Sequence, residues 1–152
     1  MSEINSYSDI FRRDKLDSKF TEVDNTIYVK EVELTAANII AMYTTPVEVV
    51  PAVAGKALEF VDAVCILDYG TTQFTGGGNV TFAEETSGTT LSGTLSSTPV
   101  NAAADSITKV LGVAATLTEG KGIFITNATA AFADGDSVMR VKVAYRTHTT
   151  GL

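Results

Sequence analysis

The residues with the most chemistry to offer are Cys65 and His148, the only cysteine and the only histidine of the 152-residue chain. A catalytic thiol needs a histidine or a basic neighbour to lower its pKa. Cys65 instead sits in the apolar run Phe60-Val61-Asp62-Ala63-Val64-Cys65-Ile66-Leu67, and His148 lies four residues before the last. The expectation for Cys65 is a small buried hydrophobe, and a single cysteine excludes an internal disulfide. Carboxylates offer little more. Asp134-Gly135-Asp136 places two of them near each other, whereas calcium takes about six to eight oxygens, so a tight turn is expected there. Glu84 and Glu85 are adjacent and face opposite ways on a strand. Asp62 and Asp68 share a face but lie about 20 Å apart along it. Neither pair suits the two-carboxylate chemistry of a glycosidase.

Phosphate-binding and hydrolase patterns are missing. Gly55-Lys56 is followed by Ala57 rather than Ser or Thr, so no Walker loop forms. Gly76-Gly77-Gly78 precedes a strand and opens no helix, so it cannot offer phosphate a helix N-terminus. There is no GxSxG and no HExxH. Asn79-Val80-Thr81 and Asn127-Ala128-Thr129 match the glycosylation acceptor pattern, without an export signal to make use of it. Tyr43, Tyr69 and Phe74 could stack on a sugar, but packing is the expected role, and there is no Trp. The expectation is a protein that is not an enzyme and takes no cofactor and no metal.

The elements that would position these residues are mostly strands. Charged residues are 19% of the chain, below the usual ~25%, and Thr, Ala, Gly and Ser fill the gap. Thr is stiff at χ1 and favours a pleated strand. Ile27, Val29, Val32 and Leu34 read as a first strand with a phase slip near Glu31 that suggests a bulge. Thr35 can cap a short helix over 36–42, and Pro46 forces Thr45 to be extended. Val47–Val50 is a strand. Leu58–Leu67, the longest apolar run, is expected to be a central strand buried on both faces. A long loop from Tyr69 to Asn79 precedes a strand at Val80–Ala83. Thr89–Ser97 reads as a strand or extended edge, and Pro99–Asp105 as a helical turn. Strands follow at Ile107–Ala115 and Gly122–Thr126, then a turn at Ala133–Asp136. Met139, Val141, Val143 and Tyr145 alternate with Arg140, Lys142, Ala144 and Arg146, which marks a strand with one dry and one wet face. About eight strands with no strand–helix–strand rhythm predict an all-β, antiparallel sandwich of jelly-roll type.

Residues 1–24 differ from this body, 25–152. They hold Arg12, Arg13, Lys15 and Lys19 among six acids, with sparse apolar groups. Ile10, Phe11, Leu16 and Phe20 point different ways around a helix, so no self-sufficient amphipathic helix is expected. An arm that orders on another chain is expected instead. Ile10, Phe11 and Phe20 would be its apolar anchors, and Arg12 and Arg13 would pair with acids of the partner.

The net charge of −7 argues against general binding of nucleic acid or anionic membranes, which takes Lys and Arg. No stretch approaches the ~20 apolar residues of a membrane helix, and the charged start is unlike a signal peptide. Synthesis in a cytoplasm without cleaved export is expected.

Three stretches resemble small virion proteins of tailed bacteriophages. They are Leu34-Thr-Ala-Ala-Asn-Ile-Ile-Ala-Met-Tyr-Thr-Thr-Pro-Val47, Leu67-Asp-Tyr-Gly-Thr-Thr-Gln-Phe-Thr-Gly-Gly-Gly78, and Gly122-Ile-Phe-Ile-Thr-Asn-Ala-Thr-Ala-Ala-Phe-Ala-Asp-Gly-Asp-Ser137 with Val141-Lys-Val-Ala-Tyr-Arg146. The resemblance covers residues 34 to 146. It implies a capsid decoration or head-fibre protein, or a tail-associated component, located in the virion. It also implies a homotrimer, and a major capsid protein or other virion protein as partner. The alternative it leaves is a carbohydrate or host-surface binding module, with a glycan met by the loop Tyr69–Asn79.

Overall fold

In the computed structural model, which describes residues 26–150, the chain runs through β1 (Tyr28–Leu34), α1 (Ala36–Ala41), β2 (Val47–Val50), β3 (Ala57–Asp68) and β4 (Phe74–Gly76). It continues through β5 (Val80–Glu84), β6 (Ser106–Leu111), β7 (Ile123–Asn127), β8 (Phe132–Asp134) and β9 (Val138–His148). The residues 1–24 expected to form an anchoring arm lie outside the described residues.

The strands pair antiparallel throughout. They form a four-stranded sheet in the order β1-β9-β3-β6, a three-stranded sheet in the order β2-β7-β5, and the small pair β4-β8. Consecutive long strands change sheet, so connections cross the core rather than close local hairpins. The all-β sandwich expected from the strand pattern is therefore the observed class. Between the sheets lie Leu34, Met139, Val141, Val143, Ala63, Cys65 and Leu67 from one side, and Val49, Val80, Phe82, Ile123 and Ile125 from the other, all buried. Phe60 and Phe82 stack across this gap with centroids 4.8 Å apart.

Local chemistry explains the connections. Thr35 caps α1: its hydroxyl accepts from the Asn38 amide, and the Asn38 side chain accepts from the Thr35 amide. That reciprocal box satisfies two of the donors a helix start leaves orphaned. Ile39 is the one helix residue fully buried. The stretch Thr89–Leu95 is extended as expected, but is tied to its neighbours by single bridges. Leu91 and Leu95 amides donate to Phe82 and Val80 carbonyls (2.8 and 2.9 Å), and the Gly93 amide donates to Leu111 (2.8 Å). This segment therefore laces the β5 edge of one sheet to the end of β6 in the other.

Three expectations need correction. No register shift occurs in β1; the apparent slip arises because its first residues, Tyr28 to Glu31, are exposed on both faces. The irregularities fall at Phe60/Asp62 in β3 and Glu48/Val50 in β2. β3 is not buried on both faces: its inner residues are buried, while Asp62, Val64 and Ile66 remain half-exposed, because no layer of the described residues covers that side. And the loop Tyr69–Asn79 contains β4, paired to β8 with Phe74 opposite Asp134.

Candidate interaction surface

The chemistry-bearing residues are mostly committed to structure. Cys65 is buried, and burial pushes its thiol up to about 12, so at neutral pH it is held as the protonated thiol. His148 is not beside it; its Nε2 lies 2.6 Å from Glu59 Oε2. Glu84 is buried and accepts from the Thr118 amide at 2.6 Å, while Glu85, next to it, turns away with φ +57°. Asp62 and Asp68 pair with Lys109 and Arg140 at 3.5 and 3.0 Å. Among the described residues no three His, Cys, Asp or Glu side chains come together as a metal site, and no helix is long and apolar enough to cross a membrane.

The turn Asp134-Gly135-Asp136 has a different task. The Asp136 carboxylate accepts the Thr71 hydroxyl at 2.6 Å and the Thr71 and Thr72 amides at 2.8 Å each. These bonds, the hydroxyl first, hold its pKa below the ordinary carboxylate value. Gly70 is required here, because a Cβ would collide with the Asp136 carboxylate. Gly135 has φ +78° and lies against the Phe74 ring. The loop 69–79 is thus pinned to the 132–137 turn. Phe74 is turned inward, fully buried against Phe132, and the half-buried Tyr69 donates its hydroxyl to the Thr71 carbonyl at 2.9 Å. Tyr43, half-exposed, stands alone of the three. A stacking platform for sugar is not assembled by these residues.

Among the described residues, what remains open is the outer face of the four-stranded sheet. Three rows cross it: Val29, Ala144, Asp62 and Leu111; Glu31, Lys142, Val64 and Lys109; Glu33, Arg140, Ile66 and Ile107. Every basic side chain on it has an acid on a neighbouring strand. Lys142–Glu31 and Arg146–Glu59 stand at 3.7 and 3.5 Å, beside the two pairs above. Between these pairs are the most exposed large hydrophobics described, Ile107 at 74%, Val29 at 68% and Leu111 at 62%.

In fold, the chain is similar to a viral capsid component. A solved chain described as "Cyanophage Pam1 capsid asymmetric unit" superposes with a TM-score of 0.53 at 20% sequence identity, covering 82% of this chain and 86% of that one. No family model matches the sequence, and no curated protein does. At this identity the likeness is one of architecture.

Of the residues expected to bind a partner, Ile10, Phe11, Arg12, Arg13 and Phe20 lie outside the described residues. Sequence reasoning did not single out Val29, Ile107 and Leu111. In Ser106–Leu111 both parities carry apolar residues, Ile107 and Leu111 on one and Val110 on the other, so alternation alone does not say which side faces the core. The signal that could have served is Lys109, whose charge marks its own side as the wet one.

Proposed function

We propose that the chain is a structural protein of a tailed-bacteriophage virion: a capsid decoration or head-fibre protein whose body is a homotrimeric jelly roll. Its residues 1–24 would attach it to the major capsid protein or another virion protein. The observation that carries this reading is the likeness in fold to a chain of a cyanophage capsid, over more than four-fifths of both chains. The strand orders β1-β9-β3-β6 and β2-β7-β5 support the jelly-roll assignment. In that architecture two Greek keys draw each sheet alternately from distant parts of the chain, and Thr89–Leu95 stands where an eighth main strand would lie beside β5. The virion phrasing near Leu67–Gly78 and Gly122–Ser137 supports it as well, since these stretches meet at the β4–β8 pair. A protein that decorates a particle needs a stable body, a face and an anchor, and Cys65, Glu84 and Asp136 serve such a body by packing and by holding loops.

Mass spectrometry of purified particles tests the reading. The expected result is this protein at a stoichiometry comparable with other coat components. Its absence from particles that are otherwise complete would sink the idea. A particle map at modest resolution then distinguishes head from tail.

A further inference from the structure

We propose that the two edges of the four-stranded sheet bind each other between copies, β6 of one copy meeting β1 of the next, head to tail. This rests on the homo-oligomer in the reading above and names the surface that forms it.

Strand direction comes first. β1, β9, β3 and β6 are each antiparallel to the next, so β1 and β6 run in opposite directions. A second copy rotated about an axis along the strands therefore brings its β1 antiparallel to β6 with the same face outward. No flip of either sheet is needed.

The side chains then match. On the outer face β6 presents Lys109 and Leu111, and exposed Val113 follows two residues beyond its end; β1 presents Glu31 and Val29, and exposed Ile27 directly precedes it. Antiparallel alignment sets Glu31 against Lys109, Val29 against Leu111 and Ile27 against Val113. That contact joins opposite charges and covers four side chains exposed by 48%, 68%, 62% and 49% for Ile27, Val29, Leu111 and Val113. The reverse pairings, β1 on β1 or β6 on β6, place Glu31 near Glu31 or Lys109 near Lys109 in their centred registers, which like-charge repulsion disfavours.

The register also permits closure. Val29 and Leu111 already lie on one row within the sheet, as do Glu31 and Lys109. Joining row to row adds no shift along the strands. A heterologous contact forms a ring when its rotation closes and a filament when it does not, and the absence of translation is the condition that a ring needs. Leu111 and Val113 already bond through their backbones to Gly93 and Leu91. The contact at that end is therefore side chain on side chain, and backbone pairing is confined to Ile107–Lys109. Lys109 and Glu31 each keep an exposed partner in their own chain, and such pairs rearrange at little cost.

The test is a charge swap in the full-length protein, read by sedimentation velocity across concentrations, with circular dichroism to confirm folding. Wild type is expected as a closed oligomer. Lys109→Glu and Glu31→Lys each weaken association by about tenfold or more, because juxtaposed like charges oppose it. The double variant restores it. Leu111→Asp abolishes it, and Lys121→Glu, in neither edge, leaves it unchanged. A monomeric wild type, single reversals without effect, or a double variant that fails to recover would each overturn the proposal. Monomeric protein found on particles defeats this contact alone; an oligomer absent from particles defeats the virion reading alone.

Discussion

The two faces of the four-stranded sheet are built from the same strands and obey different rules. On the inner face Leu34, Met139, Val141, Val143 and Ala63 are buried to 2% exposure or less, and they share one apolar core with residues of the second sheet. On the outer face the alternate residues of the same strands are acids and bases paired across neighbours, with Val29, Ile107 and Leu111 standing in water between them. The inner face is where area removed from water stabilises the fold, at roughly 25 cal/mol per Å². The outer face contributes little to the isolated fold and is free to be chosen by a partner. A sandwich covered on one side of each sheet can therefore carry an interface at no cost to its core.

The sharpest way to break this comparison is to open the core. Phe82 is fully buried and stacks on Phe60 from the other sheet. Phe82→Ala should lower the unfolding free energy by about 3–5 kcal/mol, the loss of transfer energy plus a cavity that the flanking strands cannot collapse to fill. Denaturant unfolding followed by circular dichroism measures it. A loss below about 1 kcal/mol would mean that the two sheets do not depend on each other as described.

A smaller effect is expected at the rim, where the loop 69–72 is held by one carboxylate. The native-state pKa of Asp136 is lowered, so this group contributes stability that is present above its unfolded value, about 3.9, and is lost as the pH falls through its lower folded value. Between neutral pH and about pH 5 the loop should stay closed. In stronger acid it should open before the core does. Hydrogen exchange at the Thr71 and Thr72 amides reads this directly, and Asp136→Asn should make their protection low and nearly independent of pH. Unchanged protection in the variant would show that the carboxylate does not hold the loop.

How much of this was legible in the residues depends on which neighbour each strand required. The alternation Met139, Val141, Val143, Tyr145 names its own dry face, and Thr35 names its own helix start, since both signals are local. The same logic failed where the answer lay across the fold. Leu58–Leu67 looks buried on both sides because Val64 and Ile66 are apolar, but apolar side chains on an uncovered face look the same in sequence as covered ones. Phe74 and Phe132 pair through β4 and β8 although each lies in a stretch of turn-forming residues, and nothing near either points to the other. Asp136 suggested a turn and nothing about Thr71. The outer face escaped notice for a related reason: it is defined by rows across four strands, and rows exist only once the register does.

The smallest expected effect is the most informative about the outer face. Lys109 and Asp62 lie 3.5 Å apart with side chains 59% and 28% exposed. In an isolated copy, a double-mutant cycle with Lys109→Met and Asp62→Asn should give a coupling of about 0–1 kcal/mol, because water screens the pair. It should shrink further in salt. Repeated at a protein concentration where copies associate, the cycle should change, since Lys109 would then divide its charge between Asp62 and the neighbour's Glu31, and the contact would exclude water from both. A coupling that stays small and equally salt-sensitive at every concentration would leave the outer face as wet in company as it is alone, and would separate it from any role in joining copies.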